Sequence, residues 1–189
     1  MEKANVERRF YLKHFKAISR ALSTYEDLNL LVAHIAEGLC RSFKIKGCCI
    51  MVFDDREKQL FRVGSYGISE SYLSKGPVFF DEKHSSFVTG EPALVEDMQK
   101  DPRVQYPEAA AKEDIVSMIS VPIKCREAVI GIIRMYHSQP LTLHKEDLDS
   151  IGVLAIHLGL VIESNGIKNF LEGVKVAMEN LPLRLLQGM

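Results

Sequence analysis

Three side chains able to do chemistry stand on one stretch, Ser117 to His137. Ser120 interrupts a run rich in Ile, Val and Met, while Arg134 and Tyr136 interrupt a second such run. Side chains alternate between the faces of a strand, so Arg134 and Tyr136 share a face. A hydroxyl, a guanidinium and a phenol on an otherwise apolar face can fix a small ligand, with Arg134 suited to an anionic group. The alternative is that Arg134 pairs with a carboxylate over an empty cavity. Arg103 and Tyr106 belong to an irregular segment upstream, where Arg103 can bind an anion or pair with a carboxylate such as Asp97. His84 in the same segment can act as a ligand, including an axial ligand to haem, or stand exposed on a loop.

Cys40, Cys48, Cys49 and Cys125 form no CxxC pair and have no histidine at ligand spacing, so no metal site is expected. Cys48 and Cys49 are neighbours on an apolar run and must point to opposite faces, as packed small hydrophobes. A redox role would need a neighbour that stabilises a thiolate.

The elements that position these groups can be read from periodicity. Two almost continuously apolar runs flank Lys124 to Glu127, which predicts a hairpin with a four-residue connection, covered on both faces at the centre of a sheet. Pro122 removes a ladder donor and belongs at a bulge or an unpaired position. Gly47 to Phe53 and Gln59 to Tyr66 predict another antiparallel pair, also at the sheet centre.

Helices flank the strands. Tyr11, Phe15, Ile18 and Leu22 form one apolar seam, and Ser23 with Glu26 fits a capping box ahead of Leu28, Leu31, Val32, Ile35 and Leu39. Between the strand pairs, Ser71 to Ala111 is polar and broken by Gly76-Pro77 and Gly90 to Pro92. It predicts a lid with a short strand at Ala93 to Val95, a turn after Asp101-Pro102 and a helical turn from Pro107. A long helix begins near His144 with Leu148, Ile151, Ala155, Leu158 and Ile162 on one side. Val153, Leu154, Leu160 and Val161 make a second apolar surface, which predicts two partners, the sheet and another protomer. Asn165-Gly166 should interrupt it before helical spacing resumes. The expected division is an N-terminal helix at 1–23, a domain at 24–164 and a helical tail at 165–189.

Composition bounds the function. The net charge of -1, from 24 basic and 25 acidic residues, gives no global field for nucleic acid. The N-terminus lacks the apolar run of a signal peptide, and Ile151 to Ile162, with His157 inside it, is short for a bilayer. A cytoplasmic protein without nucleic-acid or membrane partners is the expectation.

SYGISESYLSKGP at 65–77, TGEPALVEDMQKDPRVQYPEAAAKEDIVSMISVPI at 89–123, VIGIIRMYHSQP at 129–140 and the helix from Glu146 carry a resemblance to the GAF domain over roughly residues 24–164. The resemblance implies an α+β fold, an α/β sandwich related to PAS domains. Its central antiparallel sheet would carry the long N- and C-terminal helices on one face and the ligand lid on the other. It implies a stand-alone, non-enzymatic sensory module of bacterial or archaeal signal transduction. Such a module would bind a small molecule, form a homodimer through its helices and act on a separate output protein, or be a fragment of a longer one. The ligand is unknown, and candidate pocket residues are Ser120, Arg134, Tyr136, Arg103, Tyr106 and His84. Phe80-Asp81-Glu82 is only a fragment of the cyclic-nucleotide signature, and the absence of cysteine between Cys49 and Cys125 disfavours covalent bilin. The reductase branch uses lid and hairpin cysteines, of which only Cys125 is near. The alternatives are a ligand-free dimerisation adaptor and a thiol reductase like the free methionine sulfoxide reductases.

Overall fold

A computed structural model of the chain describes residues 8–10, 16–17, 20–21, 24, 27–79 and 85–179. The seam of Tyr11, Phe15, Ile18 and Leu22 and the capping box at Ser23 and Glu26 lie outside them. The described helix α1 (Leu28–Phe43) starts instead at Asp27, whose carboxylate accepts the N–H groups of Asn29 and Leu30. Its apolar stripe, Leu31, Val32, Ile35, Ala36, Leu39, Cys40 and Phe43, is buried at the spacing of one helix face.

The elements that follow are β1 (Gly47–Asp54), β2 (Gln59–Tyr66), α2 (Glu70–Leu73), α3 (Ser86–Thr89), β3 (Ala93–Val95), α4 (Pro107–Lys112), β4 (Ser117–Cys125), β5 (Ala128–His137) and α5 (Lys145–Glu179). The strands form one five-stranded antiparallel sheet in the order β2-β1-β5-β4-β3. The predicted hairpin is β4-β5, and β5 is the central strand. Its connection is tighter than expected: Cys125 pairs with Ala128, leaving Arg126 and Glu127 in the turn with Arg126 at φ 53°. Pro122 stays in register with Ile132, and the ladder shifts one residue later, between Ile123 and Lys124. β2 is an edge strand rather than a central one, because β1 pairs on its other side with β5.

Alternation sorts the sheet into two cores. Cys48, Ile50, Ile119, Val121, Ile123, Ile133 and Met135 face α1 and α5, whereas Cys49, Met51, Met118, Ile132 and Tyr136 face the lid. From α5, Ile151, Leu154, Ala155 and Leu158 are buried in the helix-side core, so Leu154 belongs there and not to a second surface. Over Lys145–Val176, α5 is long and apolar enough to cross a membrane by length and composition, although its first half is committed to this core. The helix runs unbroken through Asn165-Gly166, where Asn169 Nδ2 donates to Asn165 Oδ1 across one turn at 3.1 Å.

The start of α5 is tied to the N-terminal segment by a buried carboxylate. Asp147, fully buried, accepts the backbone N–H groups of Arg9 and Phe10 at 2.8 Å each. Phe10 is buried and stacks on Phe43, and Arg9 donates to the Phe43 carbonyl. One acid therefore joins the ends of α1 and α5 through the chain that precedes both.

The packing of α5 on the hairpin depends on a close approach at Gly159, where a Cβ would lie 2.1 Å from the Lys124 carbonyl oxygen. At Gly152, seven residues or about two turns earlier, a Cβ would meet nothing within 4 Å. Gly159→Ala should cost about 1–3 kcal/mol by forcing helix and hairpin apart. Gly152→Ala should add about 0.5–1 kcal/mol through helix propensity alone. Urea denaturation of both variants checks this, and a shift of the same sign at the two positions would remove the close approach as the packing constraint.

Candidate ligand-binding site

The floor of the site is a row of paired residues crossing four strands. Cys49 of β1 pairs with Arg134 of β5, Arg134 with Ser120 of β4, and Ser120 with Ala93 of β3. The flanking rows run Gly47–Tyr136–Met118–Val95 and Met51–Ile132–Pro122. Period-2 alternation therefore sets the polar pair Ser120 and Arg134 on the lid side amid apolar neighbours.

The lid is stitched from segments far apart in sequence. Glu113 accepts from the Ser69 backbone and hydroxyl, Tyr106 Oη donates to the Pro77 carbonyl at 2.6 Å, and Gln105 accepts from the Phe79 N–H at 3.1 Å. Gly76 makes the Tyr106 contact feasible: it lies at φ 132°, and a Cβ there would be 2.7 Å from Tyr106 Oη. The Val78 carbonyl accepts from Leu60 N–H, hooking the lid to the edge strand. Between lid and sheet lies a cavity of about 70 Å³ lined by Leu60, Tyr72, Val95, Met98, Met118 and Ile132 with the polar groups of Lys75, Ser86, Gln105, Tyr106, Ser120 and Arg134.

The structure brings Ser120, Arg134, Arg103 and Tyr106 to this cavity. Arg103 is held there by Asp101 and the Leu94 carbonyl, whereas Asp97, the expected partner, pairs with Lys100. Tyr136 shares the floor's face but does not line the cavity. It is buried beneath Tyr72, with ring centroids 5.7 Å apart edge to face. His84 lies outside the described residues. Among the described residues, no cluster of His, Cys, Asp or Glu could hold a metal ion.

Sequence reading missed Lys75, Ser86 and Gln105, of which Lys75 is the charged one. Its Nζ sits 3.8 Å from the Tyr72 ring centroid and donates to the Tyr72 carbonyl at 3.1 Å. Burial pulls its ammonium down to about 8, and the Arg134 charge adds to the fall. Burial likewise pushes the Tyr72 phenol up to about 12, against the pull of Arg134. The Arg134 Nε is buried and has no hydrogen-bond partner among the described residues. The only signal in the sequence was the spacing Tyr72-Leu-Ser-Lys75 ahead of the Gly76-Pro77 turn, which sets the amine just past the end of α2, three residues from the ring.

The cysteines are placed for packing. Burial pushes the Cys40 thiol up to about 12, Cys48 well above its ordinary value and Cys49 up to about 11. Cys125 is raised by its hydrogen bond to Glu163 and by burial. Each is held as the protonated thiol, the unreactive form.

The sequence model of the GAF domain matches residues 26–163. No curated protein sequence matches the chain significantly. The fold is similar to that of the GAF domain from a phosphoenolpyruvate-protein phosphotransferase of Coxiella burnetii, with a TM-score of 0.74 at 19% identity over 84% of this chain and 95% of that one. The corresponding Acinetobacter domain gives a TM-score of 0.70 at 17% identity, covering 84% and 96% of the two chains. The free methionine-R-sulfoxide reductase of Neisseria meningitidis, solved with its substrate, gives 0.67 at 16% identity over 88% and 99%.

The depressed Lys75 has a measurable consequence. Its folded value near 8 lies below the ordinary 10.5, so the unfolded chain binds a proton that the fold does not across that interval, and stability must rise with pH there. The fold's preference for the neutral amine is fully present above 10.5 and lost as pH falls through 8. Wild type should therefore gain on Lys75→Met between about pH 8 and 10.5 in denaturant midpoints, and a pH-independent gap between the two would place Lys75 in solvent.

Proposed function

Because the chain belongs to the GAF domain family, commonly a signalling or sensory module in bacterial proteins, we propose that it is a non-enzymatic sensor or regulator. In this reading it binds a small molecule in the cavity under the lid, dimerises through α5 and acts on a separate signalling partner. One observation carries the reading: β5 turns Arg134 and Ile132 toward the cavity and Ile133 and Met135 toward the core that holds α5. Whatever fills the cavity and whatever moves the helix are therefore in contact with alternate residues of one strand. A ligand would shift the helices only by binding two arrangements unequally.

The far side of α5 supports the dimer. Val153, Ile156, Leu160, Ile167, Phe170 and Val174 are exposed at spacings of 3, 4, 7, 3 and 4, a heptad pattern broken only at Glu163, whose carboxylate is turned to Cys125 and Arg126 of the hairpin. That is the seam of a two-stranded coiled coil, and a second copy is the partner that supplies the same seam.

The small size of the cavity and the stitching of its lid favour a second reading, a dimerising adaptor with no ligand. The likeness to the sulfoxide reductase extends to the fold, and catalysis of that kind would need a thiolate that none of the four cysteines is placed to supply.

Sedimentation equilibrium at micromolar concentration should give a dimer, and the double variant Leu160→Glu with Phe170→Glu should give a folded monomer. Native mass spectrometry of freshly purified protein should show a small-molecule mass that is lost on denaturation. A wild-type monomer refutes the dimer, and protein without bound mass supports the adaptor.

A further inference from the structure

The cavity has an imbalance of charge. Among the described residues that line it there is no aspartate or glutamate, while three are cationic. Arg103 is neutralised by Asp101. Among the described residues, Lys75 and Arg134 have no carboxylate within ion-pair distance and the buried Arg134 Nε has no acceptor. A buried charged donor left without an acceptor is costly, and structures retain one where water, an ion or a ligand supplies the acceptor.

Resting on the reading of this cavity as a ligand site, we propose that its occupant is a small organic carboxylate. Arg134 and Lys75 hold the anionic group, and the hydrocarbon body lies among Val95, Met98, Met118 and Ile132. A planar carboxylate fits the fork of a guanidinium, and Ser120, directly opposite Arg134 on β4, adds a hydroxyl donor to the same row. An inorganic anion would leave the apolar wall unfilled.

Binding of an anion favours the charged form of Lys75 and draws in a proton at alkaline pH. The groups facing Lys75 are the Tyr72 ring on its own turn, Tyr106 before α4, Glu113 after it, Cys49 on β1 and Arg134 on β5. Glu113 is held below its ordinary range by hydrogen bonds from Ser69 against the effect of burial, and Cys49 stays a thiol up to about pH 11, so Lys75 carries the titration near pH 8.

The test titrates the full chain calorimetrically with butyrate, valerate and benzoate, with the matching neutral amides, and with inorganic phosphate. The carboxylates should bind at least about tenfold tighter than their amides at pH 7, the scale of one charge-assisted hydrogen bond. That preference should vanish in Arg134→Gln, and wild-type affinity should weaken from pH 7 to 9. Amides binding as well as acids would overturn the carboxylate while leaving a small-molecule site, as would a retained preference in Arg134→Gln. Phosphate binding alone would replace it with an inorganic anion. The acid-amide comparison on wild type needs no variant, so misfolding of Arg134→Gln does not rescue the idea. A co-purified compound without a carboxylate overturns the proposal. If no probe binds and no mass co-purifies, the ligand reading itself fails.

Discussion

Everything in this molecule follows from the requirement that β5 be covered on both faces. A strand with a neighbour on each edge and a layer on each side has no solvent-facing residue to spare, so each side chain must be apolar, paired or aimed at a cavity. The odd-numbered residues Ile133 and Met135 meet the first two conditions against α1 and α5. Among the even-numbered ones, Ile132 and Tyr136 pack under the lid, and Arg134 lines the cavity. The lid exists to cover that face. Its irregular chain carries the hydrogen-bonding groups, Ser69, Tyr106, Gln105 and Glu113, that close it without extending the sheet.

The hairpin, the short strand at Ala93 to Val95, the helix from Pro107 and the long closing helix were legible in the sequence because each is written in local periodicity or in a proline at a defined position. So was the family resemblance, which rests on text spread over the whole sheet and lid. Long-range facts were not legible. That β2 is an edge depends on β1 choosing β5, eighty residues away, as its second partner. That Tyr136 is sealed off depends on Tyr72, placed by the chain's path across the sheet and by nothing near Tyr136 itself.

Charges were the hardest residues to read. Lys75 looks like any lysine of a polar segment until its turn is laid over the sheet, and Asp147 looks like a helix-dipole residue until Arg9 and Phe10 are brought to it. Of the two readings open for Arg103, an anion or a carboxylate partner, the fold supplies a carboxylate, at Asp101 two residues away rather than at Asp97, because the turn after Pro102 folds the side chain back on its own loop. Asn165-Gly166 reads locally as a stop. The helix continues because no residue there is required to leave it, and a single glycine costs an exposed helix only about 1 kcal/mol.

The close approach at Gly159 makes α5 a lever with a fixed fulcrum. Upstream of it the helix is bedded in the core, and from Gly166 to Val176 every residue is exposed. At 1.5 Å per residue, the arm beyond Gly159 is about 30 Å long, so a tilt of about 10° at the fulcrum moves its tip by about 5 Å. A sub-ångström adjustment where Lys124 meets the helix is thus enlarged several-fold at the far end. The mechanical gain comes from the length of the arm and the absence of a side chain at its pivot, and it requires no change of fold anywhere else.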